Sequence, residues 1–385
     1  FATNASGTTH GDTLSLLTMP GITLDAAVIL SDTSAALSAS FSGSGVQAFG
    51  FKWSAGEDGD FEATGLGEDT GGISTIKDTL TTLERGKTYY FTAYANTDSE
   101  DFYGDTLSLL TLPGITTDAA SAATESSATL NATFSADSIT AQGFMWGLQA
   151  DLSDGASVSV DTTDGLTAIE TALTGLTAGT VHYFSAFATN ASGTTHGDTL
   201  SLLTTPGITT EAASAATDTS ATFNATFSAD SITDQGFVWS LQANLNDGTS
   251  VSADTTDGST AIDTALTGLM PGKMHYFSAF ATNASGTTHG DTLSLLTLPG
   301  ITTDAASAAT ESSATLNATF SADSITAQGF MWGLQADLSD GASVSVDTTD
   351  GLTAIETALT GLTAGTVHYF SAFATNASGT THGDT

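Results

Sequence analysis

Cysteine is absent from the 385 residues, and with it go disulfides, thiolate chemistry and cysteine-based zinc sites. Its absence leaves the compartment open. Basic residues are nearly as scarce: five Lys+Arg (Lys52, Lys77, Arg85, Lys87 and Lys273) stand against 42 Asp+Glu, a net charge of −37. Displacing counterions from phosphate requires cationic groups, so nucleic acid is excluded as a partner. Anionic lipid is disfavoured for the same reason. An acidic surface instead keeps an extended chain soluble and repels neighbouring modules. No apolar run approaches the length that spans a bilayer, so no membrane insertion is expected. No initiator Met or signal-like segment opens the chain, and the residues are expected to be a piece of something longer.

What is present is repetition. Four of the five prolines, Pro20, Pro113, Pro206 and Pro299, precede "GIT" and lie 93 residues apart. Residues 112–199 and 298–385 are identical, the copy at 206–298 differs at scattered positions, and the copy at 20–112 diverges while keeping the frame. A 93-residue period is large enough for its own core, and 40% hydrophobic content supplies one. The chain therefore divides into a terminal strand pair of a preceding repeat (1–19), a divergent repeat (20–112), two further repeats (113–205 and 206–298) and a repeat lacking its last strand (299–385).

Within 113–205 the pattern is that of strands. "SATLNATFS" (127–135) alternates Leu130, Ala132 and Phe134 against Thr129, Asn131 and Thr133, the two-residue period of a half-buried strand. "TAQGFMWG" sets Phe144 and Trp146 on one side. "GITTDAAS", "ASVSV", "LTAIETAL", "VHYFSAFATN" and "DTLSLLT" bring the set to seven strands separated by DG, SG and AG turns. This predicts an all-β sandwich. "LTAIETAL" alone is ambiguous between helix and strand. Linkers as short as "LLTLPGITT" (109–117) contain Pro and no Gly/Ser tract. They are expected to be stiff and to stack modules end to end, each roughly 30–40 Å long at about 3.3 Å per residue.

"LTGLTAGTVHYFSAFATNASGTTHGDTLSLLT" resembles the last third of a fibronectin type III-like domain, in the form found in tandem on bacterial surface proteins. "QGFMWG" and "QGFVWS" resemble that family's Gly-Phe-x-Trp third strand, and "SATLNATF" its second. The resemblance covers each period in order and implies tandem seven-stranded fibronectin III-like β-sandwiches joined by short Pro-containing linkers. The residue matching the family's corner tyrosine is Tyr89 in the divergent repeat but His182, His275 and His368 in the others. A neutral histidine can make a similar hydrogen bond.

Candidate sites are few. "DLSDG" and "DTTDG" (Asp151, Asp154, Asp161 and Asp164), with Asp247, Asp254 and Asp257 in the next copy, are ordinary hairpin-turn sequences. Paired loop carboxylates are also the hard oxygen ligands that calcium takes, which makes weak calcium binding the one cofactor to consider. The sequons "NAT" and "NAS" mark Asn131, Asn224 and Asn317 and Asn190, Asn283 and Asn376 as possible glycosylation sites. Asn131 points outward by alternation and Asn190 begins a loop. No cysteine, lysine or Ser-His-Asp arrangement offers catalysis a foothold, so no enzyme is expected. On the sixth strand the outward positions are large and apolar: Tyr183 and Phe187 beside Met145, with Tyr90 and Tyr94, Tyr276 and Phe280, and Tyr369 and Phe373 as their equivalents. Such a stripe on an acidic, small-residue surface suggests a protein interface, with other copies of this chain as the partner. The expectation is a structural subunit of an extracellular fibre or cell-surface filament. The alternative is the stalk of a large surface adhesin whose binding domain lies outside this segment. Residues 1–18 repeat 187–204, so either the periodic chain begins at an arbitrary phase or the head of one copy completes the tail of another.

Overall fold

In "SATFNATFS" (Ser220–Ser228) the side chains of Ala221, Phe223, Ala225 and Phe227 are buried and those between them are not, the burial pattern that the alternation dictates. The structure, a computed structural model, describes the chain except for residues 13–17, 44–45, 58, 60, 68–73, 98–99, 136–137, 163–166, 229–231, 254–259 and 349–352. Among the described residues every regular element is a strand. Contacts group them into two units. One comprises Phe1–Ser121, Thr129–Leu173 and His182–Leu202, the other Ala122–Ala128, Thr174–Val181 and Leu203–Thr385.

The third repeat lies wholly in the second unit and serves as the reference. Its strands are β1 (Gly207–Ser214), β2 (Ser220–Ser228), β3 (Asp234–Ser240), β4 (Thr249–Ser252), β5 (Ala261–Thr267), β6 (Met274–Asn283), β7 (Gly286–His289) and β8 (Leu293–Leu296). β1, β2 and β5 form a three-stranded sheet; β4, β3, β6 and β7 form the other, with β8 also on β6. All these pairings are antiparallel. The segment that the sequence left ambiguous between helix and strand is β5, because Ile262 and Leu266 turn inward at strand spacing. The two sheets face each other across Phe223, Phe237 and Phe277. The Phe223 and Phe277 rings stack at 4.0 Å, and Phe223 meets Phe237 edge-on at 5.7 Å. Each ring is fully buried, which contributes about 1.5–3 kcal/mol by removal from water. The fold is therefore an all-β, fibronectin III-like sandwich repeated along the chain.

The strand expected last, "DTLSLLT", is β8, and an additional short strand, β7, precedes it on β6. His289 and its equivalent His196 lie on this additional strand. The reason is a local departure at Gly290. Its N–H bonds the Ala279 carbonyl at 2.9 Å, and the chain then leaves the ladder before β8. The Ala279 N–H so orphaned donates across to the other sheet, to Thr210 Oγ1 on β1 at 3.0 Å. Ser278 Oγ donates to the Gly290 carbonyl at 2.7 Å. A Cβ at Gly290 would fall 2.5 Å from Thr210 Oγ1, so this crossing requires glycine. The same bond joins Ala186 to Thr117 and Ala372 to Thr303.

In the divergent repeat the corner is closed by tyrosine: the Glu84 N–H donates to Tyr89 Oη at 2.7 Å. His275 takes that place in the third repeat, 3.2 Å from the Met270 nitrogen.

Candidate functional site: the outer sheet face and the repeat junctions

Alternation on β6 sends His275, Phe277, Ala279 and Ala281 inward and Met274, Tyr276, Ser278 and Phe280 outward. Cross-strand register then fixes the outward neighbours. Phe280 stands opposite Gly236, Ser278 opposite Val238, and Tyr276 opposite Ser240. On the far side Phe280 faces His289, with ring centroids 6.0 Å apart. The pair recurs as Phe187–His196 and Phe373–His382. A Cβ on Gly329 would come 3.1 Å from a ring carbon of Phe373, so that ring lies over the bare backbone of the glycine across the sheet. Tyr94 lies likewise over Gly50.

The stripe is therefore partly closed on itself. Tyr90, Tyr94, Met145, Tyr183, Phe187, Tyr276 and Phe373 are half-buried, Phe280 is buried, and Tyr369 is the exposed member. Further exposed apolar groups near the ends of the third and sixth strands escaped the sequence reading. They are Leu148, Leu241 and Leu334 after the third strand (48%, 44% and 53% exposed), Val181 and Met274 opening the sixth, and Val367 just before it in the last repeat. The signal was available, since Met274 shares the outward parity of Tyr276 and Leu241 directly follows the last residue of β3.

In the divergent repeat the same face is cationic. Lys52 occupies the place of Met145, donates to Tyr103 Oη at 2.6 Å, and lies over the rings of Tyr103 and Tyr94. Tyr103 in turn donates to Asp101, whose other oxygen accepts from Asn96. The Tyr103 hydroxyl holds the Lys52 ammonium above its ordinary range, and the Asn96 amide holds the Asp101 carboxyl below its own.

The carboxylates of the Asp-Gly turns are engaged by their own loops. Asp154 accepts from the Leu148 and Gln149 N–H groups, and Asp151 from Ser153 N–H. Hydrogen bonds from Leu148 and from Ser153 lower the two carboxyls respectively. Asp247 accepts from Ser240 Oγ and Gln242 Nε2. The Asp161 carbonyl takes the buried Gln142 amide at 2.6 Å. Among the described residues no three His, Asp or Glu side chains gather into a metal-binding group. Asp164, Asp254 and Asp257 lie outside the described residues.

The asparagines of the first sequon keep the outward parity that alternation assigned them, but their amides are engaged. Asn131, Asn224 and Asn317 donate to the carbonyls of Ala119, Ala212 and Ala305 at 2.8 Å. Each so bridges the bulge in the first strand of its repeat. Asn190, Asn283 and Asn376, read as loop positions, are 4% exposed. Their amide nitrogens donate to Thr111, Thr204 and Thr297, in the linkers that enter their own repeats, at 2.8–2.9 Å. Their Oδ1 atoms accept from Ser192, Ser285 and Ser378. The nitrogen that would carry a sugar is thus committed to the protein at all six positions. Ser192 and Ser378 hydroxyls add bonds to the Leu110 and Leu296 carbonyls. The hairpin between the sixth and seventh strands thereby grips the preceding linker. Between the third and fourth repeats, Lys273 pairs with Asp323 at 2.8 Å and the Asp323 N–H bonds the Gly272 carbonyl.

No family model matches the chain. It is 26% identical over 399 residues to the chicken (Gallus gallus) receptor-type tyrosine-protein phosphatase eta. That match covers all of this chain and 26% of that protein. A crystal structure of chicken CNTN1 FN1-FN3 domains aligns with 73% of this chain and all of its own, at 12% identity and a TM-score of 0.28.

Proposed function

We infer that this chain is a structural segment of an extracellular or cell-surface protein, in which tandem sandwiches space and align a repeated outer face that meets other copies. The observation that carries the reading is the junction clamp. A buried Asn fixes the linker in the same way at three successive repeat boundaries, so equivalent faces recur in equivalent local surroundings. Equivalent patches at a fixed step are what a non-closing assembly needs. The bacterial setting implied by the motifs belongs to this proposal; the similar proteins named above are both from chicken.

The second reading, an adhesin stalk, is favoured by the partial closure of the aromatic stripe over glycine and histidine. Light scattering and negative-stain imaging of the full chain distinguish the two. An assembly subunit self-associates, and replacing Leu148, Leu241 and Leu334 with Ser reduces that association. A stalk remains monodisperse in both forms. These leucines are the better targets because Phe187 and its equivalents also pack within their own sheet.

A further inference from the structure

The corners of the first and third repeats are built on one plan with one difference. In the first, the Thr111 hydroxyl donates to the Glu84 carbonyl and accepts from the Lys87 N–H, while Tyr89 Oη accepts the Glu84 N–H. In the third, the Thr297 hydroxyl does the same for Met270 and Lys273. His275 Nε2 there lies 3.2 Å from both the nitrogen and the carbonyl oxygen of Met270. In the neutral Nδ1–H tautomer Nε2 accepts the Met270 N–H. The imidazolium loses that acceptor, and its added Nε2–H must share the Met270 carbonyl with Thr297. Its Nδ1–H stays buried, because Nδ1 has no hydrogen-bond partner and the residue is 0% exposed. A buried charge with an unpaired donor is among the more expensive arrangements a fold can hold.

Nothing packed on the ring offsets this. Trp239 lies 5.7 Å away, centroid to centroid, and Leu295 is its partner on β8. Among the described residues the adjacent titratable groups along the chain are Tyr276, on the opposite face of β6, and Lys273, whose ammonium is held by Asp323. Neither contributes to the ring's titration, which is governed by burial and then by Met270.

We propose that the corner histidine is an acid-labile latch. Proton uptake at His275 opens the corner of the third repeat. The first repeat, latched by Tyr89, holds. The sign follows from linkage. Burial lowers the folded-state value of His275, so the unfolded state binds the extra proton. The stabilisation is complete above the ordinary histidine value of about 6.5 and is lost as pH falls from there through the folded value.

The test is hydrogen exchange on the full chain between pH 7.5 and 5, expressed as protection relative to the intrinsic rate at each pH. Protection of amides 270–277 is expected to fall by up to about tenfold per pH unit below about 6.5, while amides 84–91 keep theirs. His275→Tyr should remove the acid step. The tyrosine is accommodated because Trp53 and Tyr89 sit 5.6 Å apart in the first repeat, nearly the Trp239–His275 spacing. His275→Phe should lower protection equally at both pH values, since it has no acceptor to lose. His196, His289 and His382 on the outer face are untouched by these variants. An acid step that survives His275→Tyr, or an equal step at the Tyr89 corner, overturns the proposal.

Discussion

Replacing Asn283 with Ala separates a junction clamp from a surface sequon. The wild-type amide donates to the buried Thr204 carbonyl at 2.9 Å and accepts from the Ser285 N–H at 2.9 Å. Two internal hydrogen bonds contribute about 1 kcal/mol each, and an orphaned buried carbonyl costs about 1–3 kcal/mol more. The expected loss is therefore about 3–5 kcal/mol, a large share of the 5–15 kcal/mol that a typical domain has in total. Denaturation followed by tryptophan fluorescence should show a lower midpoint, and hydrogen exchange should localise the loss to residues 204–209 and to the 283–286 hairpin. Asn283→Asp should be at least as damaging, because it presents a carboxylate oxygen to the Thr204 carbonyl. Asn4, which carries the same sequon at an exposed position, provides the control: Asn4→Ala should leave stability unchanged. A cost below about 0.5 kcal/mol at Asn283, the range of an ordinary surface substitution, would refute the clamp.

Three further outcomes are expected. Thr210→Val keeps the shape of the side chain but leaves the Ala279 N–H without its acceptor, at a cost of about 1–3 kcal/mol measurable by the same denaturation. Gly290→Ala should cost more than a typical surface change, because its Cβ would meet Thr210 Oγ1 at 2.5 Å; combining it with Thr210→Ala should recover part of the loss. Lys273→Met should change stability by no more than about 1 kcal/mol and flatten whatever salt dependence the fourth repeat shows, since both partners of the Asp323 pair are largely exposed.

Much of this fold was legible one strand at a time. Alternation in "SATFNATFS" placed Phe223 and Phe227 inside, and the 93-residue recurrence of "PGIT" marked each repeat, because burial of one sheet face imposes a two-residue period that sequence displays directly. The outward parity of Tyr276 and Phe280 was legible for the same reason. Their real exposure was not, because it depends on what lies across the sheet, which for Phe280 is a bare glycine and a histidine ring.

Only the tertiary structure decided the roles of the polar residues. Asn283 and Thr204 are 79 residues apart, and Ala279 and Thr210 are 69 apart. A local motif such as Asn-Ala-Ser states which atoms can donate and accept, and says nothing about which distant carbonyl will be brought within 3 Å. The additional strand before the last, the sequon asparagine turned inward and the histidine at the corner all follow from that. Apolar burial is a property of faces and is written in periodicity, whereas hydrogen-bond partners are chosen by the way two sheets close on each other.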